Sequence, residues 1–287
     1  MTLANAIAQL RGGPVTILGA GGFVGSHLAR YLQAHGVKFS APQKDDKSYI
    51  NHDLGYVFYC IGLTADYAKR PFDVITAHID LLAQILRAGR YQRLVYLSST
   101  RLYDSGAGGG VETQDLIFNP ANPRHSYDLS KAMGEWLCLH TGQGRASVAR
   151  LASVYSTTDL SDRNFLHTTI EEALGGQNFS LRTAADYARD YVHTDDVCAA
   201  LACILANGRQ GIYNVASGQN ISNRELFLKI QTLTGVLINP EMPPTGITAP
   251  QIDINRIRDE FGLKPAKLLD KLAEYFNPHS QSAASGA

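Results

Sequence analysis

Val15-Thr16-Ile17-Leu18-Gly19-Ala20-Gly21-Gly22-Phe23-Val24-Gly25 is the stretch that decides the fold. A short apolar run stopped by glycine reads as a buried strand. The following segment, Phe23–Ala34, has helical periodicity and closes at Gly36 in a C-cap position. Between them the spacing is Gly-x-x-Gly-x-x-Gly. Such glycines let the backbone turn tightly and approach a pyrophosphate at the helix N-terminus, where free N–H groups and the helix dipole favour negative charge. Gly25 lets the helix pack close to the sheet. A glycine-rich turn alone can be only a turn, but a strand before it and a helix after it point to a dinucleotide cofactor. Gly19, Gly22, Phe23 and Val24 are the candidate contacts.

Outward from this turn the same rhythm repeats. Tyr56–Ile61, Leu94–Ser98 and Ser147–Ala152 read as buried strands, and Val74–Arg87 and Tyr127–Leu139 as helices. This alternation predicts an α/β fold with a Rossmann-type doubly wound parallel sheet, whose ligands lie beyond the carboxyl ends of the strands. We divide the chain into a dinucleotide-binding domain, 1–155 and 189–216, and a small, discontinuous C-terminal substrate-binding lobe, 156–188 and 217–277. The small polar tail, 278–287, reads as disordered. Ser105–Gly110 is either a plain surface connection or a lid. Pro240–Pro250 reads as a linker, and Asp270–Phe276 as the last helical segment.

Lys+Arg and Asp+Glu both number 26, so the formal charge is zero, which excludes a general nucleic-acid binder. Cys60, Cys138, Cys198 and Cys203 lack metal-ligand spacing and read as reduced, buried thiols, with no metal site. The N-terminus has neither a basic start nor a long apolar core, so no signal peptide is expected. The longest apolar stretches, near Tyr56–Leu63 and Val197–Ala206, are about half a membrane span. A cytoplasmic protein with no membrane or nucleic-acid partner is expected.

Tyr127 and Lys131 lie at i and i+4, on one helix face. A free tyrosine, with a pKa of about 10, is a poor base at neutral pH. A nearby ammonium favours the phenolate and draws that value toward the working range. The pair can then exchange a proton with a carbonyl or carbinol oxygen while hydride moves at carbon. A surface tyrosine with a lysine neighbour shows the same spacing. Ser98-Ser99-Thr100, at the end of the preceding strand, supplies a hydroxyl for the same oxygen and favours the chemical reading.

Taken with Val57–Gly62, Ser98–Tyr103, Gly134-Glu135, Arg150–Tyr155, Arg189–His193 and Tyr213–Val215, these segments make the chain resemble the extended short-chain dehydrogenases, the NAD-dependent epimerase/dehydratase family. The resemblance implies that Ser99 is the catalytic Ser/Thr, that Tyr127 is the acid/base, and that Lys131 holds the nicotinamide ribose and tunes Tyr127. It implies that Cys60, Ile61, Gly62, Ser98 and Leu151 line the cofactor and that Asp53 and Leu54 touch adenine, although Asp53 also reads as a plain strand-start residue. Thr100, Arg101, Ser153 and Arg189 fall on the substrate side. Arg189 matches an arginine that pairs with a nucleotide-sugar diphosphate, and its alternative is an ion pair with Asp186 or Asp190. Arg101 is either a substrate contact or a solvated side chain. Family members often pair through the helix of Tyr127 and the long helix before it, so a homodimer is expected.

The departures narrow the chemistry. The 4,6-dehydratases carry Asp-Glu just after the catalytic Thr. Here Thr100 and Arg101 stand there, so the groups for eliminating water are missing. A sugar-contacting Asn is Ser153, the usual Asn of the helix after the second cofactor strand is His78, and Pro240–Gln251 holds no arginine. The segment between the first helix and Tyr56 is short, which predicts a trimmed sheet edge. It offers no early acid for the ribose 2′-OH, while Lys44 suits a 2′-phosphate; the cofactor is NADP or NAD, with Lys44 favouring NADP. The expected substrate is a small molecule, an activated sugar. The expected activity is reduction of a keto group on a nucleotide-linked or activated sugar. Epimerisation of such a sugar and a non-catalytic NAD(P)-binding sensor are the alternatives.

Overall fold

A computed structural model describes residues 2–64, 67–106, 108–247 and 249–276. In chain order the elements are α1 (Leu3–Arg11), β1 (Val15–Leu18), α2 (Phe23–Ala34), β2 (Tyr56–Tyr59), α3 (Pro71–Ile75), α4 (Leu81–Ala88), β3 (Arg93–Ser99), α5 (His125–Thr141), β4 (Ala146–Leu151) and β5 (Ser153–Tyr155). They continue as α6 (Phe165–Leu174), β6 (Phe179–Ala184), β7 (Ala188–His193), α7 (Thr194–Asn207), β8 (Ile212–Val215), β9 (Asn220–Ser222), α8 (Asn223–Thr234), β10 (Ile238–Met242), α9 (Asn255–Phe261), α10 (Leu268–Lys271) and α11 (Ala273–Phe276).

Five strands form one parallel sheet in the order β1-β2-β3-β4-β8. Val15 lies opposite Tyr56, Tyr56 opposite Arg93, Leu94 opposite Ala146, and Val148 opposite Ile212. β1, β2 and β4 are buried along their whole length. A parallel sheet covered on both faces has no solvent side to mark with polar alternation, so its strands read as largely apolar runs, here interrupted by the buried polar residues Thr16, Ser147 and Arg150. One face packs on α1, α2 and α7 through Leu10, Leu28, Leu32 and Leu201. The other packs on α4 and α5 through Leu82, Ile85, Leu86 and Cys138. The sheet is therefore doubly wound.

Beyond β1 the edge is trimmed, as the short segment predicts. Ser40 alone pairs with Thr16 in a parallel bridge, with Ile17 N–H donating to Ser40 O at 2.9 Å and Ser40 N–H to Val15 O at 2.8 Å. Around the far end, α6, α8, α10 and α11 share a separate apolar cluster with Tyr155, Tyr191 and Ile238. Here β7 pairs with β5 in parallel and with β9 antiparallel, and β10 pairs with β6 in parallel.

Three expectations need correction, and one element was missed. Strand β2 stops at Tyr59, and Cys60–Gly62 already form the turn beyond it. The helix expected at Val74–Arg87 starts at Pro71, where a proline suits the first helical position, and passes through a π turn, Thr76–Asp80, before α4. The linker expected at Pro240–Pro250 overlaps β10, an exposed strand with a register shift between Pro240 and Met242. The N-terminal helix α1 was not expected at all; it buries only Ala6, Ile7 and Leu10. The segment expected to be a disordered tail, 278–287, lies outside the described residues. Among the described residues no helix is long and apolar enough to cross a membrane.

Candidate active site

The glycine turn leaves β1 at its carboxyl end. Gly19 has φ +87, and a Cβ there would lie 2.9 Å from Cys60 C and Ile61 N, so the turn presses against the residues that follow β2. A Cβ on Gly25 would lie 2.2 Å from Gly19 O, so only glycine lets α2 close onto this turn. Gly22 caps α2 without a side-chain hydrogen bond. Backbone N–H groups at a helix start, with no side chains in the way, fit a dinucleotide pyrophosphate. Gly19, Gly22, Phe23, Val24, Cys60, Ile61 and Gly62 thus meet at one edge. Lys44 follows the Ser40 bridge in the direction of that edge and is exposed.

Asp53 and Leu54 do not join them. They precede β2 and lie at the opposite, amino end of the parallel sheet. Asp53 Oδ1 accepts from Gly55 N–H at 3.0 Å, and Leu54 N–H donates to Arg90 O at 2.9 Å while its side chain enters the core. The adenine role expected for this pair is withdrawn, because a residue at the amino end cannot reach a ligand at the carboxyl end. The strand-start reading of Asp53 stands.

The carboxyl end of β3 carries Ser98 and Ser99, and the chain then turns through a 3-10 segment, Thr100–Tyr103. Ser98 is buried, and its hydroxyl has no hydrogen-bond partner among the described residues. Ser99 Oγ accepts from Arg101 N–H at 3.2 Å. Leu151 lies opposite Ser99 at the end of β4, and Thr100 Oγ1 donates to Leu151 O at 3.4 Å. Ser153 opens β5, half-buried, opposite Tyr191.

Tyr127 sits in the first turn of α5 and Lys131 one turn later; both are buried. Lys131 Nζ donates to Leu97 O at 2.8 Å and lies 5.9 Å from the Tyr127 ring centroid. Burial lowers Lys131 to about 7. Burial pushes Tyr127 up to about 12, against the opposing charge of Arg101, and Asp128 pushes the same way as burial. The Lys131 ammonium is turned to the Leu97 carbonyl, and Arg101 Cζ also lies over the Tyr127 ring, 5.1 Å from its centroid.

His78 lies in the π turn, fully buried, with its ring 5.4 Å from that of Tyr127 and edge-on to it. Burial, helped by the nearby Lys131 charge, lowers it to about 3, so it is neutral. Leu63 N–H donates to Nε2 at 3.2 Å, which places the ring proton on Nδ1. Nδ1–H then donates to Ser130 Oγ at 2.8 Å, and Ser130 donates to Tyr127 O at 2.7 Å. This chain ties the loop after β2 to the backbone of the tyrosine. The sequence showed the His78 substitution but gave no sign of the chain.

Arg101 is neither free nor solvated. Its Nε lies 3.1 Å from Asp128 Oδ1, and Nη2 donates to Tyr67 OH at 3.0 Å and to Arg124 O at 2.8 Å. Next to it is a cavity of about 200 Å³ lined by Arg101, Asp104, Ser105, Asn122, Arg124, His125 and Asp128. Ser105, which opens the glycine loop, is bonded to His125 Nε2 at 3.0 Å; Gly110 O, at the far end, accepts from Asp253 N–H and Asn214 Nδ2. Ala107, within that loop, lies outside the described residues.

Arg189, on β7, stacks between Tyr187 and Phe165, its Cζ 4.8 Å and 5.2 Å from their centroids. Its Nε is buried with no hydrogen-bond partner among the described residues. The acids that might have paired with it are occupied. Asp186 accepts from Thr245 and Gly246 N–H, and Asp190 from Ser217 and Gln219 N–H.

Over residues 15–216 the sequence matches the profile of the NAD dependent epimerase/dehydratase family. A dTDP-4-dehydro-6-deoxy-D-allose reductase of Streptomyces bikiniensis is 22% identical, over 94% of this chain and 98% of its own length. A GDP-6-deoxy-D-mannose reductase of Pseudomonas aeruginosa is 26% identical over 87% of this chain and 91% of its own length, a UDP-glucose 4-epimerase of Mycolicibacterium smegmatis 25% over 92% and 99%, and two dTDP-glucose 4,6-dehydratases of Streptomyces match only 61% and 46% of this chain. Among solved structures, MoeE5 in complex with UDP-glucose and NAD is 21% identical with a TM-score of 0.76, covering 94% of this chain and 99% of that one. RMD from Pseudomonas aeruginosa complexed with NADPH is 22% identical with a TM-score of 0.76, covering the same shares. At these identities the structures speak for the fold.

Proposed function

We propose, from the premise that this chain belongs to the NAD-dependent epimerase/dehydratase family and is an NAD(P)-dependent enzyme, that it reduces a keto group on a nucleotide-linked sugar. The observation that carries this reading is the state of Tyr127. Reduction of a carbonyl needs an acid beside the oxygen, and here the Tyr127 phenol, buried in the first turn of α5 and held protonated by that burial, faces the carboxyl edge of the sheet where β3 ends at Ser99. An epimerase needs the same residue to begin as a base. With its pyrophosphate at the glycine turn, a reduced nicotinamide dinucleotide would supply the hydride.

In this mechanism Ser99 orients the carbonyl oxygen, and Tyr127 gives it a proton as negative charge develops there. Lys131, one helical turn on, holds the nicotinamide ribose. Cys60, Ile61, Gly62, Ser98 and Leu151 line the cofactor. Thr100 and Ser153 lie on the sugar side. Arg189 pairs with the diphosphate, and its unpartnered buried Nε supports that role. The lobe of 156–188 and 217–277 binds the sugar nucleotide. Lys44 favours NADP over NAD. Met133 and Trp136 on α5 and Phe72 and Ile75 on α3 are exposed, which supports a homodimer through these helices. Four unbridged cysteines suit a cytoplasmic location.

The test is incubation with NADPH and a panel of nucleotide-linked keto-sugars, with the mass of every product recorded. A gain of two hydrogens with loss of cofactor absorbance is expected. An isomer of unchanged mass with no net cofactor consumed would mean an epimerase.

A further inference from the structure

We propose that Asp159 is a latch for the cofactor: it pins a strap, residues 156–163, across the first turns of α2, and the opening of this contact sets how fast the nicotinamide dinucleotide leaves. The inference rests on reading the glycine turn as a dinucleotide site. It does not depend on which sugar is reduced.

The strap is held at both ends by the lobe. Just after β5, Ser156 N–H donates to His167 Nε2 at 3.3 Å, and Ser156 O accepts from Tyr275 OH at 2.7 Å. Thr157 Oγ1 donates to Glu274 Oε2 at 2.8 Å. At the other end His167 Nδ1–H donates to Asp162 O at 2.8 Å, and Asn164 caps α6. Between these ends the chain reaches α2. Asp159 Oδ2 lies 3.2 Å from His27 Nε2 and 3.3 Å from Arg30 Nη2. Its Oδ1 accepts from Ser161 N–H at 2.9 Å, which fixes the carboxylate. Among the described residues, Asp159 makes every hydrogen bond and ion pair between the strap and α2. The Phe23 ring stands edge-on to His27 and to His167, with centroids 4.9 Å and 5.7 Å away.

These contacts lie beside the ligand. Phe23 opens α2 directly after the glycine turn, at the helix end that suits a pyrophosphate. The strap leaves β5, which follows Leu151 at the carboxyl end of β4. It therefore borders the nicotinamide half of the dinucleotide. The adenosine half lies toward the β1 edge, at Ser40 and Lys44. The strength of the contact suits a latch. Arg30 is 58% exposed and Asp159 23%, so solvent screens their attraction and the pair opens at little cost. A reductase trades oxidised for reduced cofactor at every turnover, and segments that open for exchange are drawn from weakly held parts of a fold.

The experiment reads release and needs no sugar substrate, so its outcome is separate from that of the product assay. The protein is loaded with NADPH, excess NADP is added, and the decay of bound-cofactor fluorescence gives the dissociation rate. Asp159→Asn keeps an acceptor for Ser161 N–H and removes the charge. It should speed release about fivefold, the limit that a partly exposed ion pair supports, with association nearly unchanged. Arg30→Met should speed release about twofold, and the double variant should be no faster than Asp159→Asn, because both changes remove one contact. Affinity for 2′,5′-ADP, the adenosine half alone, should be equal in all four proteins, whereas a general loosening of α2 would weaken it. An unchanged release rate in Asp159→Asn, or a matching loss of 2′,5′-ADP affinity, would overturn the latch while the dinucleotide site stands. A wild-type protein that binds neither NADPH nor NADH would overturn both.

Discussion

The centre of the sheet and its β1 edge are built to different standards. At the centre, Arg150 on β4 is among the largest fully buried side chains. It makes two bonds to Glu135 on α5, at 2.9 Å and 2.6 Å, and one to Tyr103 OH at 2.7 Å. Tyr103 passes the chain to Asn214 on β8, whose amide reaches Gly110 O and Asp253 O. One buried ion pair thus joins β4, α5, the turn after Ser99, β8 and the far end of the glycine loop. At the edge, one bridge at Ser40 stands where a further strand would lie. Ser99 and Tyr127, the residues proposed to react, hang on the braced region, and such geometry must hold to fractions of an ångström. The adenosine end needs only a surface to lie on, and it tolerates a trimmed edge.

The sharpest way to break this comparison is Arg150→Met. It leaves Glu135 charged, buried and unpaired, and it should cost about 3 kcal/mol or more in urea unfolding. Ser40→Ala, at the edge, should cost under about 1 kcal/mol by the same measurement. Equal losses would erase the distinction.

Lys131→Met separates stability from function within the braced region. The folded chain holds Lys131 at about 7 against 10.5 unperturbed. Between those values the unfolded chain binds more protons, so wild-type stability falls as pH drops from about 10.5 to about 7, and below that the penalty is constant. The variant should therefore unfold at a higher temperature near neutrality, by about 2 °C or more. That advantage should shrink as pH is raised toward 10.5. An advantage that does not change with pH would show that desolvation of Lys131 is not its source.

Smaller effects are expected at the two ends of the ligand. Arg189→Ala should raise KM for a nucleotide-linked sugar roughly tenfold with kcat nearly unchanged, as loss of one charge-assisted contact predicts. Lys44→Ala should weaken NADPH binding several-fold and leave NADH binding alone in a fluorescence titration. A clear preference of the wild-type protein for NADH would remove the role given to Lys44.

The same contrast explains what the sequence showed. β1 and β2 were legible because burial on both faces leaves mostly apolar runs, and the Gly19–Gly25 turn because a strand precedes it and a helix follows it. β10 was not legible, since an exposed strand containing Pro240 carries no strand pattern. Asp53-Leu54 misled because the short chain before β2 removes the reference that would show at which end of the sheet an Asp-hydrophobe pair lies. The i, i+4 spacing of Tyr127 and Lys131 is shared by surface pairs, and it was Ser98-Ser99-Thr100 and the family resemblance that singled this pair out. The direction of the lysine toward Leu97 O and the stacking of Arg101 on Tyr67 and Tyr127 depend on tertiary packing, which no local spacing encodes.

The central claim is that Tyr127 delivers the proton while hydride reaches carbon from the nicotinamide. A single turnover with NADPH deuterated at the transferring position, on a nucleotide-linked keto-sugar, tests it most directly in the wild type and in Tyr127→Phe. Deuterium should appear on the new carbinol carbon in the wild type. In the variant its transfer should slow roughly a thousandfold while NADPH binding is unchanged. Transfer at the wild-type rate in Tyr127→Phe would contradict the mechanism.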